Sequence, residues 1–318
     1  MKNFRFTKLK SAAVFAAFSA AVLLVSCKKD DDRVVVPDTS IAAIVSANSN
    51  FSLLKTALVQ AGLTEALSGT GNFTVFAPNN AAFAAAGLDT EAKIKAVPVE
   101  NLKKILLYHV LGQRVPASAI ATASNTQVKT YNDLTVYVTK NSSGVFVNGA
   151  AVTQADVAAS NGVIHVINMV LMPPSGNIVE AAQGNANFSF LVAAVLRASQ
   201  GSTNVAQVLS GAGPLTVFAP TNQAFINAGF ASVAAIQAAD PAVLANILTY
   251  HVVPGRVLSS DLTEGAKPVT ANGASLTVTL SGGAKVKGNS NTTASAITSA
   301  NMLTSNGVIH VIDQVLMP

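Results

Sequence analysis

Four histidines are the residues best suited to chemistry in this chain, and they fall into two matched pairs. His109 and His251 each follow a tyrosine in "YHV", while His165 and His310 sit in "GVIHVI". Duplicated histidines fit metal ligation or proton transfer near neutral pH. Their neighbours argue for another role. Leu102, Ile105, Leu106 and His109 fall at i, i+3, i+4 and i+7, as do Leu244, Ile247, Leu248 and His251, so each histidine continues the apolar face of a helix. His165 shares a strand face with Val163 and Ile167. This setting predicts core histidines whose ring nitrogens bond neighbouring groups, and no metal site is expected. Catalysis would need an acid, base or nucleophile at matching positions in both copies. Glu65 stands opposite Gln207, Asp156 opposite Asn301, Asn168 opposite Asp313 and Asp133 opposite Ser275, so no carboxylate is duplicated. With no "GxSxG" and no phosphate-binding glycine loop, neither enzymatic activity nor a cofactor is expected, and no catalytic residue is assigned. The one charged side chain that recurs is Arg114, as Arg256. A guanidinium there can bond loop carbonyls or contact a partner directly.

The elements that position these residues are themselves repeated. "FTVFAPNNAAFAAAG" from Phe73 recurs as "LTVFAPTNQAFINAG" from Leu215, and "ILLYHVLGQRV" from Ile105 recurs as "ILTYHVVPGRV" from Ile247. "NGVIHVINMVLMP" from Asn161 returns as "NGVIHVIDQVLMP" from Asn306. Spacing this long is a tandem duplication of whole domains rather than a solenoid. The domains are placed at residues 37–174 and 175–318, with Pro173-Pro174-Ser175-Gly176 as a short stiff joint. Within a copy, Phe73 to Phe76 alternates like a strand. Asn79 or Asn80 can N-cap a short helix ended by Gly87, with Thr221 or Asn222 and Gly229 as the counterparts. Leu134 to Thr139, Val145 to Val147, Leu276 to Leu280 and both "GVIHVI" runs are β-branched and bounded by Gly or Asn, hence strands. The fold class is α+β, with helices mostly in the first half of each copy and a sheet mostly in the second.

"TVFAP" followed by a small helix, a "YH" element and a closing "NGVIHVI" resembles the fasciclin domain family across both copies. The resemblance implies two tandem fasciclin-like domains, each a twisted β-sheet wedge with flanking helices. It also implies an adhesion or matrix protein that binds a cell-surface or matrix protein or a glycan. The family's adhesive "YH" segment maps onto Tyr108-His109 and Tyr250-His251, with Leu111 to Val115 (including Arg114) and Val253 to Val257 (including Arg256) following. Asp156 matches an acidic position usual in the family, and Asn301 departs from it. A carrier holding a small apolar ligand between helix and sheet is the alternative that the Ala-rich composition permits.

Half of the 318 residues are hydrophobic and 11% are charged, which excludes a disordered chain. The net charge of +5 does not imply nucleic acid. Lys2, Arg5, Lys8 and Lys10 precede an apolar run from Ser11 to Ser26, and the rest of the chain has sixteen basic against fifteen acidic residues. That run has 16 residues, short of the ~20 a spanning helix needs. Residues 1–26 read as a signal peptide, and Leu24-Val25-Ser26-Cys27 resembles a bacterial lipoprotein signal that lipidates Cys27. Residues 27–36 then form a charged tether, whose Lys29-Asp30-Asp31 resembles the export signal of Bacteroidetes surface lipoproteins. The expected location is the outer membrane, lipid-anchored and on the cell surface, with the periplasmic face as the alternative.

Overall fold

The computed structural model describes residues 38–318. The signal peptide, Cys27 and the tether therefore lie outside the described residues. The first copy runs α1 (Ile41–Ala47), α2 (Ser52–Gln60), α3 (Thr64–Ser68), β1 (Phe73–Pro78), α4 (Asn80–Ala85), α5 (Glu91–Lys95) and α6 (Val99–Tyr108). It closes with β2 (Val110–Leu111), β3 (Thr126–Lys129), β4 (Thr135–Asn141), β5 (Gly144–Val147), β6 (Ala150–Ala159) and β7 (Gly162–Ile167). The second copy repeats this plan. Its helices are α7 (Ile178–Gln183), α8 (Ser189–Ala198), α9 (Val205–Ser210), α10 (Asn222–Asn227), α11 (Val233–Ala238) and α12 (Pro241–Tyr250). Its strands are β8 (Leu215–Pro220), β9 (Val252–Pro254), β10 (Thr277–Thr279), β11 (Lys285–Lys287), β12 (Ser295–Thr304) and β13 (Gly307–Ile312).

The sheets have the orders β2-β1-β7-β6-β5-β4-β3 and β10-β11-β12-β13-β8-β9. Each centres on one parallel pair, β1 with β7 or β8 with β13, among antiparallel neighbours. This explains why both "GVIHVI" runs are buried at every position. A central strand covered on both faces reads as continuous apolar sequence. Val75, Ala77, Ile164 and Val166 face the helices, whereas Phe76 and Ile167 face a second core closed by Val136, Val138 and Val147 of β4 and β5. The sheet thus curls over itself on one side and carries helices on the other, and the second copy divides its core the same way.

Two asparagines hold the helical layer on the sheet. Asn161 Oδ1 accepts from the Ile41 N–H at 3.0 Å, and its Nδ2 donates to the carbonyls of Leu67 and Gly69, each at 2.8 Å. Asn306 repeats all three bonds with Ile178, Leu209 and Gly211. The adjacent Asn79 and Asn80 divide the work predicted for either. Asn79 caps α4 by accepting from Ala82 N–H, while Asn80 accepts from Leu53 N–H and donates to the Ser49 carbonyl, tying α4 to α2. Thr221 and Asn222 do the same in the second copy. One sequence pairing needs correction. Asp133 stands opposite Gly273 rather than Ser275, because both occupy the left-handed turn position (φ 61° and 89°) closed by Thr130 and Thr270.

Candidate functional site

His109 caps the C-terminus of α6. Its Nδ1 donates to the Ile105 carbonyl at 2.8 Å, and its Nε2 accepts from Leu171 N–H at 2.8 Å. His251 makes the matching bonds to Ile247 and Leu316, at 2.8 and 2.9 Å. Both rings are neutral clamps between a helix end and the segment after the last strand. Loss of hydration pulls each pKa down to about 4. His165 and His310 lie on the other sheet face, stacked on Phe76 and Phe218. Nε2 of His165 donates to the Val115 carbonyl at 2.9 Å and that of His310 to Val257 at 2.8 Å, while each Nδ1 accepts from the N–H of Asp156 or Asn301. Burial also holds the His310 pKa below the ordinary value. Every ring nitrogen is spent, so no lone pair is left for a metal or a substrate.

The adhesive segment inferred from resemblance is corrected at four of its six residues. Tyr108, His109, Tyr250 and His251 are all at most 2% exposed, so their side chains reach no partner. The tyrosine hydroxyls donate inward, to the carbonyls of Thr135 and Ser275, both at 2.8 Å. Burial pushes the Tyr108 pKa up to about 12. These residues instead fix the loop that follows them. Thr74 Oγ1 donates to the Gln113 carbonyl and accepts from Val115 N–H, and Thr216 does the same with Gly255 and Val257. The bulged strand supplies another pin. Asp156 Oδ1 accepts from Ala117 N–H at 2.9 Å and Asn301 Oδ1 from Ser259 N–H at 2.8 Å, both residues with left-handed backbone (φ 57° and 63°). An amide therefore serves where the other copy has a carboxylate. Asp156→Asn is expected to change stability by less than about 0.5 kcal/mol. Asp156→Ala, which loses the acceptor, should cost about 1–3 kcal/mol, and urea unfolding of both variants checks the contrast.

The two loops meet different surroundings. Arg114 is exposed and has no hydrogen-bond or ring partner among the described residues. Arg256 lies over the Tyr137 ring at 4.0 Å, in a seam between the two copies. There Asp261 accepts from Thr139 Oγ1 at 3.0 Å and from Asn125 Nδ2 at 2.9 Å, and Asn141 Nδ2 donates to the Ser260 carbonyl at 3.1 Å. Tyr137 also packs on Leu258, Leu303 and Val308. Gly149 (φ 81°) approaches Asn301 so closely that a Cβ would sit 2.2 Å from its amide nitrogen. Asn125 Oδ1, Arg256 Nε and Ser260 Oγ are buried in the seam without partners among the described residues, which makes it weaker than either core.

The fasciclin domain family model matches residues 49–173 and 186–318. The chain belongs to the fasciclin domain family. It is 42% identical over 154 residues to protein sll1483 of Synechocystis sp., covering 48% of this chain and 79% of that protein. Transforming growth factor-beta-induced protein ig-h3 of Sus scrofa is 28% identical over 255 residues, covering 79% of this chain and 35% of its own. Human periostin is 28% identical over 258 residues, covering 80% and 29%. The chain thus spans about a third of those two mammalian relatives. The solved domain pair of the insect cell adhesion molecule Fasciclin I aligns over 84% of this chain and 96% of its own, at 19% identity and a TM-score of 0.41.

Sequence reasoning missed the seam between the two fasciclin domains. Asn125, Tyr137 and Thr139 sit outside the repeated blocks, and Asp261 has Ala119 as its counterpart, so comparing the domains gave no signal there.

Proposed function

We propose that this fasciclin protein is an adhesion module, lipidated at Cys27, displayed on the outer membrane surface and held off it by residues 28–36. Its partner is a cell-surface or matrix protein or a glycan. The reading is carried by one contrast. All four duplicated histidines are buried with both ring nitrogens bonded, while the loop they pin presents Arg114 to solvent. A rigid exposed loop on a packed scaffold suits recognition. Membership of the fasciclin domain family, whose resemblance implies an adhesion or matrix protein, supports the same direction.

Between helix and sheet, where the carrier reading places its ligand, there is little room. Voids between helix and sheet hold about 40 Å³ beside Ala182, Leu191 and Val217, and about 50 Å³ beside Leu58, Leu106 and Tyr131. A cavity that admits benzene is roughly 150 Å³. Two larger hollows, about 530 Å³ between the domains and about 500 Å³ between α8 and α11, lie outside the helix–sheet layer where the carrier reading places its ligand.

Beads displaying residues 28–318 should bind producer cells above beads carrying an unrelated protein. Loss of binding after protease treatment of the cells marks a protein partner, and loss after periodate marks a glycan. Binding no better than the control would contradict the adhesion reading.

A further inference from the structure

The two fasciclin domains carry the same face, and among the described residues only one copy of it is covered. In the second domain it comprises the loop from Arg256 to Asp261 and the bulge at Asn301, and it is docked on the first domain. In the first domain the same loop runs from Arg114 to Ala119, pinned by the counterpart threonine, histidine and bulge residue. There Arg114 and Asp156 are both exposed. The carboxylate has moved rather than vanished: Asp261 faces Ala119 in the alignment, and Asn301 faces Asp156. Each face therefore offers one guanidinium, one carboxylate and a rigid loop backbone.

The seam shows what such a face accepts. The mate of Arg256 is a tyrosine ring on a strand, flanked by amide and hydroxyl donors that reach the loop and its carboxylate. Arginine on an aromatic face and amide donors to carboxylate are interactions of matched geometry rather than bulk charge. We infer that the Arg114–Asp156 face of the first domain is the docking face of the proposed adhesin, and that its mate is a β-sheet face bearing an exposed tyrosine beside amide and hydroxyl side chains. The inference rests on the adhesion reading. The second domain's face is occupied within the chain, so each chain docks one partner, and avidity comes from the density of anchored copies.

The chain supplies its own probe. Arg256→Glu with Asp261→Lys places an anion on the Tyr137 ring and removes the acceptor for Asn125 and Thr139, freeing the first domain's tyrosine face in an otherwise full chain. Sedimentation velocity should then show association rising with concentration, because the freed face docks on the Arg114 face of another copy head to tail. Adding Arg114→Glu should return the chain to monomers, with far-ultraviolet circular dichroism unchanged. An increase in radius of gyration by X-ray scattering verifies that the seam has opened. If it stays shut, Leu303→Asp, which removes an apolar contact of Tyr137, is added. An opened chain that remains monomeric, or association indifferent to Arg114→Glu, overturns the proposal. Both partners here are copies of this chain, so failure leaves the bead-to-cell test of adhesion standing on its own.

Discussion

Acidification from pH 7 to pH 4 is expected to remove about 3 kcal/mol of folding stability for each of His109 and His251. Folded, each ring stays neutral to about pH 4, because protonation would place an unsolvated charge in the core and abolish the acceptor that Nε2 offers to Leu171 or Leu316. Unfolded, the same rings take up a proton near pH 6.5. Between those values the unfolded chain binds more protons than the folded one, so stability is full above pH 6.5 and falls as the pH drops towards 4. Each ring contributes a slope of about 1.4 kcal/mol per pH unit, and His310, also depressed by burial, acts in the same direction. Urea midpoints at pH 7, 6 and 5 measure it. His109→Gln should lower stability at pH 7 and flatten the slope by up to one proton, since glutamine can donate and accept but does not titrate. A midpoint constant from pH 7 to 5 would rule out the neutral-clamp account.

The second large effect belongs to the glycines that open the central strands. Gly162 and Gly307 form the first rung of the parallel pairs, opposite Phe73 and Leu215. A Cβ on either would lie 2.1 Å from the carbonyl oxygen of that neighbour and 3.0 Å from Ile41 or Ile178. The obstacle is backbone, which cannot rotate away. Gly162→Ala and Gly307→Ala must therefore part the two central strands, at a cost of at least about 4 kcal/mol, the far end of single-substitution effects. Gly87 has a left-handed backbone (φ 76°) and nothing within 4 Å of its would-be Cβ. Gly87→Ala should cost only about 1–2 kcal/mol, all of it conformational. Thermal melts of the three variants separate close approach from turn strain, and a Gly307→Ala chain melting with wild type would refute the close-approach explanation.

What could be read from sequence follows from where the duplication preserved it. "GVIHVI", "TVFAP" and the helix before "YHV" recur nearly unchanged, and their periodicity placed His109 and His165 in the core correctly, as the buried, doubly bonded rings show. The same blocks misled on partner contact. The family's adhesive segment suggests a surface position for "YH", but the end of α6 and the edge strand β2 that follows it bury both side chains beneath the loop they support. The long bulged strands β6 and β12 carry little β-branched signal, with runs such as Thr153-Gln154-Ala155-Asp156, and their form depends on pairing with the last strand. The seam was invisible for a different reason. It joins unlike residues from non-corresponding parts of the two domains, so neither periodicity nor self-comparison marks it.

The duplicated histidines serve the architecture of each domain, and under the proposed function recognition falls to the loop they pin. The most direct test is an NMR titration of the imidazole ring protons in the intact chain from pH 8 to pH 5. The His109 and His251 signals are expected to keep their neutral-form shifts across this range, and added cobalt(II) should neither shift nor broaden them. An inflection near pH 6.5 for either ring, or a paramagnetic shift on adding the metal, would contradict this architectural role and reopen the catalytic and metal readings of these residues.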